Sequence, residues 1–359
     1  MAFVAGVEFH DSETLVALAP TDEPTAAELL AGVGRNAESL DLRAVSARYV
    51  DQVGTVASDG TWTGIVELTW QLGALDRAPS VADVAVSFAP DDEGLGISGF
   101  GAGGDNSSAR VPLWLRGQLS VARADGVLVM VDGDQSEATS VAQRVARGIE
   151  VVNRVLPDWR SPVVVEVPAT AADLDETLGA APGTYAGIAA VTTTAGSASG
   201  EDAPVHVFVN PEVTSGLRRA GAQVVMSHEL VHVATDAART PMETWLLEGF
   251  ADYVALRDTD LRDRVTLGRA IDLVRREGVP DALPSTADFD TRARDLQARY
   301  EQAWLACRIV AERLGEQALV SVYRAAAAGG PVDRALRRAG FPVSQLTDGW
   351  RSRLRELAG

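Results

Sequence analysis

Lysine is absent from this chain: all 32 basic residues are arginine. Cysteine occurs once, as Cys307, and histidine only four times, at His10, His206, His228 and His232. A single cysteine excludes an internal disulfide framework and any cysteine-rich zinc site. Cys307 lies in the helical apolar pattern Trp304–Val310, which marks a buried structural thiol rather than a nucleophile. Positive charge is in deficit, with 50 acidic residues, a formal net charge of -18 and a pI near 4.6. That balance argues against nucleic acid or an anionic membrane surface as the main partner. Long apolar runs are missing too, so no integral membrane segment is expected. The start, Met1–Glu8, lacks a basic stretch followed by an apolar run, the pattern of an export signal.

What is present suits a well-packed protein. The 359 residues are 46% hydrophobic, enough for a substantial core and for two domains. The richness in Ala, Val, Gly and Asp matches the bias of GC-rich coding sequence and carries no mechanism. The spacing predicts a helix over 21–39, then β-runs at Leu42–Val50, Trp62–Leu72 and Val81–Phe88, whose alternation fits antiparallel strands. Asp59-Gly60 and Ala89-Pro90-Asp91-Asp92 read as the turns between them, and Gly101–Ser108 as a linker or loop. Strands are expected at Gln118–Arg123 and Gly126–Val131, a helix at Ala138–Leu156, a strand at Pro162–Val167 and a helix at Ala171–Leu178. Two more strands, Ile188–Thr193 and Val205–Val209, precede a nearly all-helical remainder. Val205–Pro211 is read as an edge strand able to pair with an extended substrate. The expected fold class is α+β. A β-rich antiparallel N-terminal domain, 1–115, of a possible cone-shaped α+β type, is followed by a second domain, 116–359, with a mixed sheet and a helical C-terminal half.

Chemistry concentrates in Met226–Val233, where His228-Glu229-Leu230-Val231-His232 forms an H-E-x-x-H pattern. On a helix, positions i and i+4 share a face, so both imidazoles can reach one metal ion. Glu229 then stands beside the first ligand, where a carboxylate can act as general base toward a metal-activated water. Thr240-Pro241-Met242-Glu243 has the form of a capping box opening a second helix. That helix carries Trp245-Leu246-Leu247-Glu248-Gly249-Phe250-Ala251-Asp252-Tyr253. Glu248, sixteen positions after His232, is within reach of a turn and a returning helix, as a third ligand beside an open position. Asp252, four further on, shares its face and can hold the far nitrogen of His228. Glu243 is a competing carboxylate with a capping role, and Asp236 a solvated carboxylate that could also stand behind a ligand. His206 reads as an ordinary strand residue rather than a fourth ligand.

H-E-x-x-H followed by W-L-x-E-G-F-A-x-Y resembles the gluzincin metallopeptidases, which include thermolysin-like enzymes and the zinc aminopeptidases, and is similar above all to the bacterial peptidase-MA-like group. The strong motifs occupy 228–253. The resemblance implies one zinc ion held by His228, His232 and Glu248, Glu229 as catalytic base, Asp252 behind the ligands, and a gluzincin-like second domain. Tyr300-Glu301-Gln302-Ala303-Trp304 resembles the tyrosine-led helix of zinc aminopeptidases, which would make Tyr300 a donor to the oxyanion; a tyrosine at a helix–helix contact fits the same residues. No G-A-M-E-N-like exopeptidase motif is present. The implied activity is hydrolysis of peptides or proteins, and the implied location the cell envelope or outside, with a cytoplasmic one left open. A rival reading makes the protein an envelope scaffold with structural zinc and the N-terminal domain as its docking module. Glu229, which a structural site does not need, favours catalysis.

Overall fold

The computed structural model describes residues 1–91, 94–101, 109–198, 200–259 and 261–359. The chain falls into two compact units, one of Met1–Arg144 with Ser161–Leu217 and one of Val145–Arg160 with Arg218–Gly359. Both α and β structure are present: an antiparallel four-stranded sheet, a mixed five-stranded sheet and, among the described residues, 14 α-helices.

The first unit opens with α1 (Ala2–Glu8), α2 (Ser12–Val16) and α3 (Pro24–Leu40). The strands β1 (Leu42–Val53), β2 (Trp62–Leu72), β3 (Ser80–Asp91) and β4 (Gly94–Gly101) then form the first sheet in sequence order, all antiparallel. Asp59-Gly60 makes the expected turn, with Gly60 at φ 83 and Asp59 accepting from the backbone N–H of Thr61. Of the expected turn Ala89-Pro90-Asp91-Asp92, the first three residues extend β3 instead, and Asp92 lies outside the described residues. Pro90 pairs with Leu95 of β4 beyond the point where β2 ends, at the Trp62–Phe88 pair, so its missing N–H interrupts no ladder on that side. The strand β4 was hidden by its four glycines, and it is formed by pairing with β3. Of the expected linker, Gly101 closes β4 and the rest lies outside the described residues.

The second sheet contains β5 (Ser120–Ala124), β6 (Val127–Val131), β7 (Val163–Val167), β8 (Ala190–Thr194) and β9 (Val205–Val209), in the order β5-β6-β7-β9-β8. β6, β7 and β9 run parallel, and the outer strands antiparallel to their neighbours. The inner strands β6 and β7 are buried at every residue, as their unbroken valine-rich runs require when both faces are covered. Val205–Val209 is therefore interior, and the expectation of an edge strand there is wrong; β9 pairs with β7 on one side and with β8 on the other, which leaves β8 at that edge. The crossover from β6 to β7 is α4 (Gln135–Asn153), and α5 (Ala171–Leu178) and α6 (Pro211–Thr214) complete the set. One core joins the sheets within this unit: Leu30, Leu68, Trp70 and Val84 pack in one cluster with Leu128, Met130 and Val164. Buried Asn36 of α3 fastens the segment between them, donating to Trp114 O and Gly117 O and accepting from Leu119 N.

The second unit is helical. It holds the end of α4 with α7 (Arg219–Thr235), α8 (Thr244–Ala255), α9 (Asp263–Thr266), α10 (Gly268–Glu277), α11 (Leu296–Leu314), α12 (Glu316–Ala327), α13 (Val332–Arg338) and α14 (Val343–Ala358). Two close approaches set the frame. Gly148 of α4 lies against Leu230 of α7, where a Cβ would stand 2.6 Å from a leucine methyl. Gly249 of α8 meets α11, where a Cβ would stand 2.3 Å from Ala303 O. Only glycine lets α8 and α11 approach this closely. Trp350, fully buried, donates from its indole to Gln302 O and holds α14 to α11.

Candidate metal centre

Helix α7 presents His228 and His232 one turn apart. It ends at Asp236, which takes the left-handed conformation (φ 53, ψ 38), a common way to stop a helix and satisfy its last carbonyls. Arg239 closes this turn on the Asp236 carboxylate at 2.7 Å, and Thr240 Oγ1 donates to Asp236 O. These contacts decide two expectations. Asp236 is a turn residue rather than a neighbour of the ligands. The capping box does not form, because α8 starts only at Thr244, with Glu243 before it and no side-chain cap. Thr240 is committed to the preceding turn, which removes it as a cap. The reversal nonetheless returns α8 alongside α7 with Glu248 facing the imidazoles.

Three potential ligand atoms meet there. His228 Nε2 and Glu248 Oε2 are 3.1 Å apart, His232 Nε2 and Glu248 Oε2 are 3.2 Å apart, and the two Nε2 atoms are 3.0 Å apart. The other nitrogen of His228, Nδ1, lies 2.7 Å from Asp252 Oδ1. With the Nδ1 proton given to Asp252, Nε2 turns its lone pair toward the other two atoms. Electron pairs converging at 3.0–3.2 Å are held together by a cation shared among them, a proton or a metal ion. Donor atoms around a tetrahedral zinc with bonds of about 2.0–2.1 Å stand about 3.3–3.4 Å apart, a triangle of nearly this size. His228, His232 and Glu248 thus form a group that can hold a metal ion, the one such group among the described residues.

The electrostatics agree with that reading. Burial alone would disfavour a charged His228, yet the carboxylates of Asp252 and Glu248 outweigh it and hold the imidazole well above its ordinary value. Burial would raise Glu248, and the two imidazoles overcome it and push the carboxyl far below the usual range. The pocket therefore favours positive charge at its centre. His232 differs from His228 in one respect: its Nδ1 is buried with no hydrogen-bond partner.

Glu229 is buried in α7 beside His228. Tyr300, in the first turns of α11, stands edge-on to the His228 ring with centroids 6.1 Å apart. Burial raises its hydroxyl well above the ordinary value, reinforced by the charges of Glu248, Glu229 and Asp252. Tyr300 therefore shares an electrostatic neighbourhood with all three carboxylates and keeps its proton. Every residue expected at the site from the motifs, His228, Glu229, His232, Glu248, Asp252 and Tyr300, is found in this one unit. Gly249 earned no place in that set from its spacing, and its role became visible only through the carbonyl of Ala303.

His206 is held elsewhere, in β9. Its Nδ1 is 2.7 Å from Glu166 and its Nε2 3.0 Å from Asp76, all three buried. Nothing local in the sequence links Asp76, Glu166 and His206, which come from a hairpin turn and two different strands. Cys307 is fully buried, as expected, and burial with the nearby Asp252 charge raises its thiol well above the ordinary value. No helix of the described residues is long and apolar enough to cross a membrane. No protein-family model matches the chain, and no curated protein matches it. The site therefore stands on its geometry.

Proposed function

We propose that this chain is a zinc-dependent hydrolase of the gluzincin type that cleaves peptide bonds in peptides or proteins. The observation that carries the reading is the convergence of His228, His232 and Glu248 within 3.0–3.2 Å, next to a buried glutamate on the same helix. A zinc ion held there would supply Lewis acidity, polarising a carbonyl and bringing the pKa of water toward neutrality. Glu229 takes the proton of the water that attacks the peptide carbon and delivers it to the amine that leaves as the C–N bond breaks. Tyr300, kept protonated by burial and by its carboxylate neighbours, donates its O–H to the oxyanion that develops on the attacked carbonyl. Asp252 fixes the ring of His228 by accepting from Nδ1 and so keeps Nε2 aimed at the ligand position. The peptide assignment rests on the resemblance of Trp245–Tyr253 to the gluzincin motif.

The test is Glu229→Gln and Tyr300→Phe, assayed on a denatured protein substrate with metal content measured in parallel. Glu229→Gln is expected to retain the metal and lose about 10²–10⁴-fold in turnover, the usual contribution of a general base. Tyr300→Phe is expected to retain the metal and lose about 10²-fold. Unchanged cleavage in Glu229→Gln refutes the assigned base, and unchanged cleavage in Tyr300→Phe removes that residue from the mechanism.

A further inference from the structure

The connection from α10 to α11, residues 278–295, is mostly polar and carries one aromatic residue, Phe289. Its ring is partly buried against Tyr300, with centroids 5.4 Å apart and planes at 80°. Such a perpendicular pair sets the positive edge of one ring against the negative face of the other. Tyr300 in turn stands edge-on to His228, at 6.1 Å and 72°. Metal binding and contact with an oxyanion account for His228 and Tyr300, and neither accounts for Phe289.

The segment that carries Phe289 is fastened to the helices of the metal group. Pro284 is buried just before it. A short 3₁₀ turn, Thr286–Phe289, is closed by Asp288, whose carboxylate accepts from the backbone N–H and the hydroxyl of Ser285 at 2.8 and 2.7 Å. The other oxygen of Asp288 pairs at 3.2 Å with Arg299 of α11, the residue before Tyr300. Thr286 Oγ1 accepts from Thr244 Oγ1 at 3.0 Å, and Thr244 opens α8 one turn before Glu248. Ordering such a polar segment costs conformational entropy that contacts must offset, and these contacts are made with α8 and α11. The turn thus bridges the helix of Glu248 and the helix of Tyr300, and Phe289 is its last residue.

A tyrosine hydroxyl stabilises an oxyanion only from about 2.7–3.1 Å, and a displacement of about 1 Å can cost about 10²-fold in rate. A ring left to swing about its two torsions would not hold that distance.

We propose that Phe289 is a positioning residue for Tyr300: carried on the turn 285–290, it keeps the tyrosine ring against His228 and so fixes the direction of its hydroxyl. This rests on the hydrolase reading, in which Tyr300 serves the oxyanion.

The test compares Phe289→Ala, Phe289→Tyr and Asp288→Ala with the unaltered chain. The measurements are steady-state cleavage of denatured casein, metal content, and hydroxyl-radical footprinting of each tyrosine by mass spectrometry. Phe289→Ala is expected to keep the metal and KM and to lower kcat about tenfold, as loss of a contact made only in the transition state does. It should also raise the oxidation of Tyr300 and leave Tyr49, Tyr185, Tyr253 and Tyr323 unchanged. Phe289→Tyr, which keeps the ring, should restore both kcat and protection. Asp288→Ala, which frees the turn, should expose Tyr300 in the same direction. In the Tyr300→Phe background Phe289→Ala should cost nothing further, because both changes break one interaction. Unchanged kcat or unchanged Tyr300 oxidation in Phe289→Ala overturns the proposal. So does a risen KM at constant kcat, which would make Phe289 a substrate contact, or an undiminished loss in the Tyr300→Phe background. A chain that cleaves nothing refutes the hydrolase reading instead, and Tyr300 oxidation still decides whether Phe289 holds the ring.

Discussion

Two histidine–carboxylate clusters occur in this molecule, built from the same residue types and arranged to opposite ends. In each, an imidazole Nδ1 lies 2.7 Å from a carboxylate, Glu166 for His206 and Asp252 for His228. The difference is at Nε2. For His206 a second carboxylate, Asp76, takes that nitrogen at 3.0 Å and closes the ring off on both sides. For His228 the same nitrogen meets another nitrogen and a carboxylate oxygen, all within 3.2 Å of one another. The first arrangement satisfies itself with one proton. The second leaves lone pairs pointing at one spot. Convergence of donor atoms therefore distinguishes a candidate metal centre from a buried ion cluster, and composition does not.

Removing His206 tests the closed cluster most severely. His206→Gln leaves two buried carboxylates without their cation, and breaking such a cluster typically costs about 3–5 kcal/mol. Urea denaturation should register this loss, while the metal content of the folded fraction stays unchanged. A variant as stable as the unaltered chain would mean that the cluster contributes nothing net, and concurrent metal loss would mean that the two clusters are not independent.

The corresponding change in the open cluster should act on affinity instead. Asp252→Asn removes the carboxylate behind His228, and outer-shell losses of this kind cost about 10–100-fold in metal affinity. Competition with a chelating dye reads this directly. An affinity within twofold of the original would break the parallel between Asp252 and Glu166.

The smallest effect per measured step is expected with pH. In the folded chain burial pulls the His206 imidazole down, but the carboxylates of Asp76 and Glu166 outweigh it and hold the ring up to about 10, above its ordinary 6.5. Its folded pKa is raised, so the stability it contributes is fully present below 6.5 and is lost as pH climbs through about 10. Between these values the folded state holds the extra proton, and the slope is at most about 1.4 kcal/mol per pH unit. Stability curves at pH 7, 8 and 9 should therefore fall in the unaltered chain and flatten in His206→Gln. Parallel curves would contradict the charge assigned to this ring.

The two clusters were also unequally legible in the sequence. The open one is written in local spacing: i,i+4 for the histidines, i,i+4 again for Glu248 and Asp252, each within one helix. Helix periodicity translates such spacing directly into a shared face. The closed one joins Asp76, Glu166 and His206 across 130 residues, and only the register of the sheets brings them together. The same contrast runs through the fold. The helix Ala171–Leu178 and the strand Trp62–Leu72 are legible to their observed bounds, because helical spacing and strand alternation are local signals. The strand β4 is not, since Gly94-Leu95-Gly96 has the composition of a loop and only pairing with β3 makes it a strand. Thr240-Pro241-Met242-Glu243 has the form of a cap, but the threonine hydroxyl is bonded to Asp236 O. Strand order is likewise a tertiary fact, and local pattern alone does not distinguish the interior β9 from an edge.

The group His228, His232 and Glu248 can hold a metal ion, and if that ion is zinc, as proposed, metal analysis of the purified chain shows it. About one zinc per chain is expected after reconstitution, and Glu248→Ala is expected to lose it with the helical circular dichroism retained. A chain that takes up no zinc, or a Glu248→Ala variant that keeps it undiminished, would rule these three residues out as a zinc site.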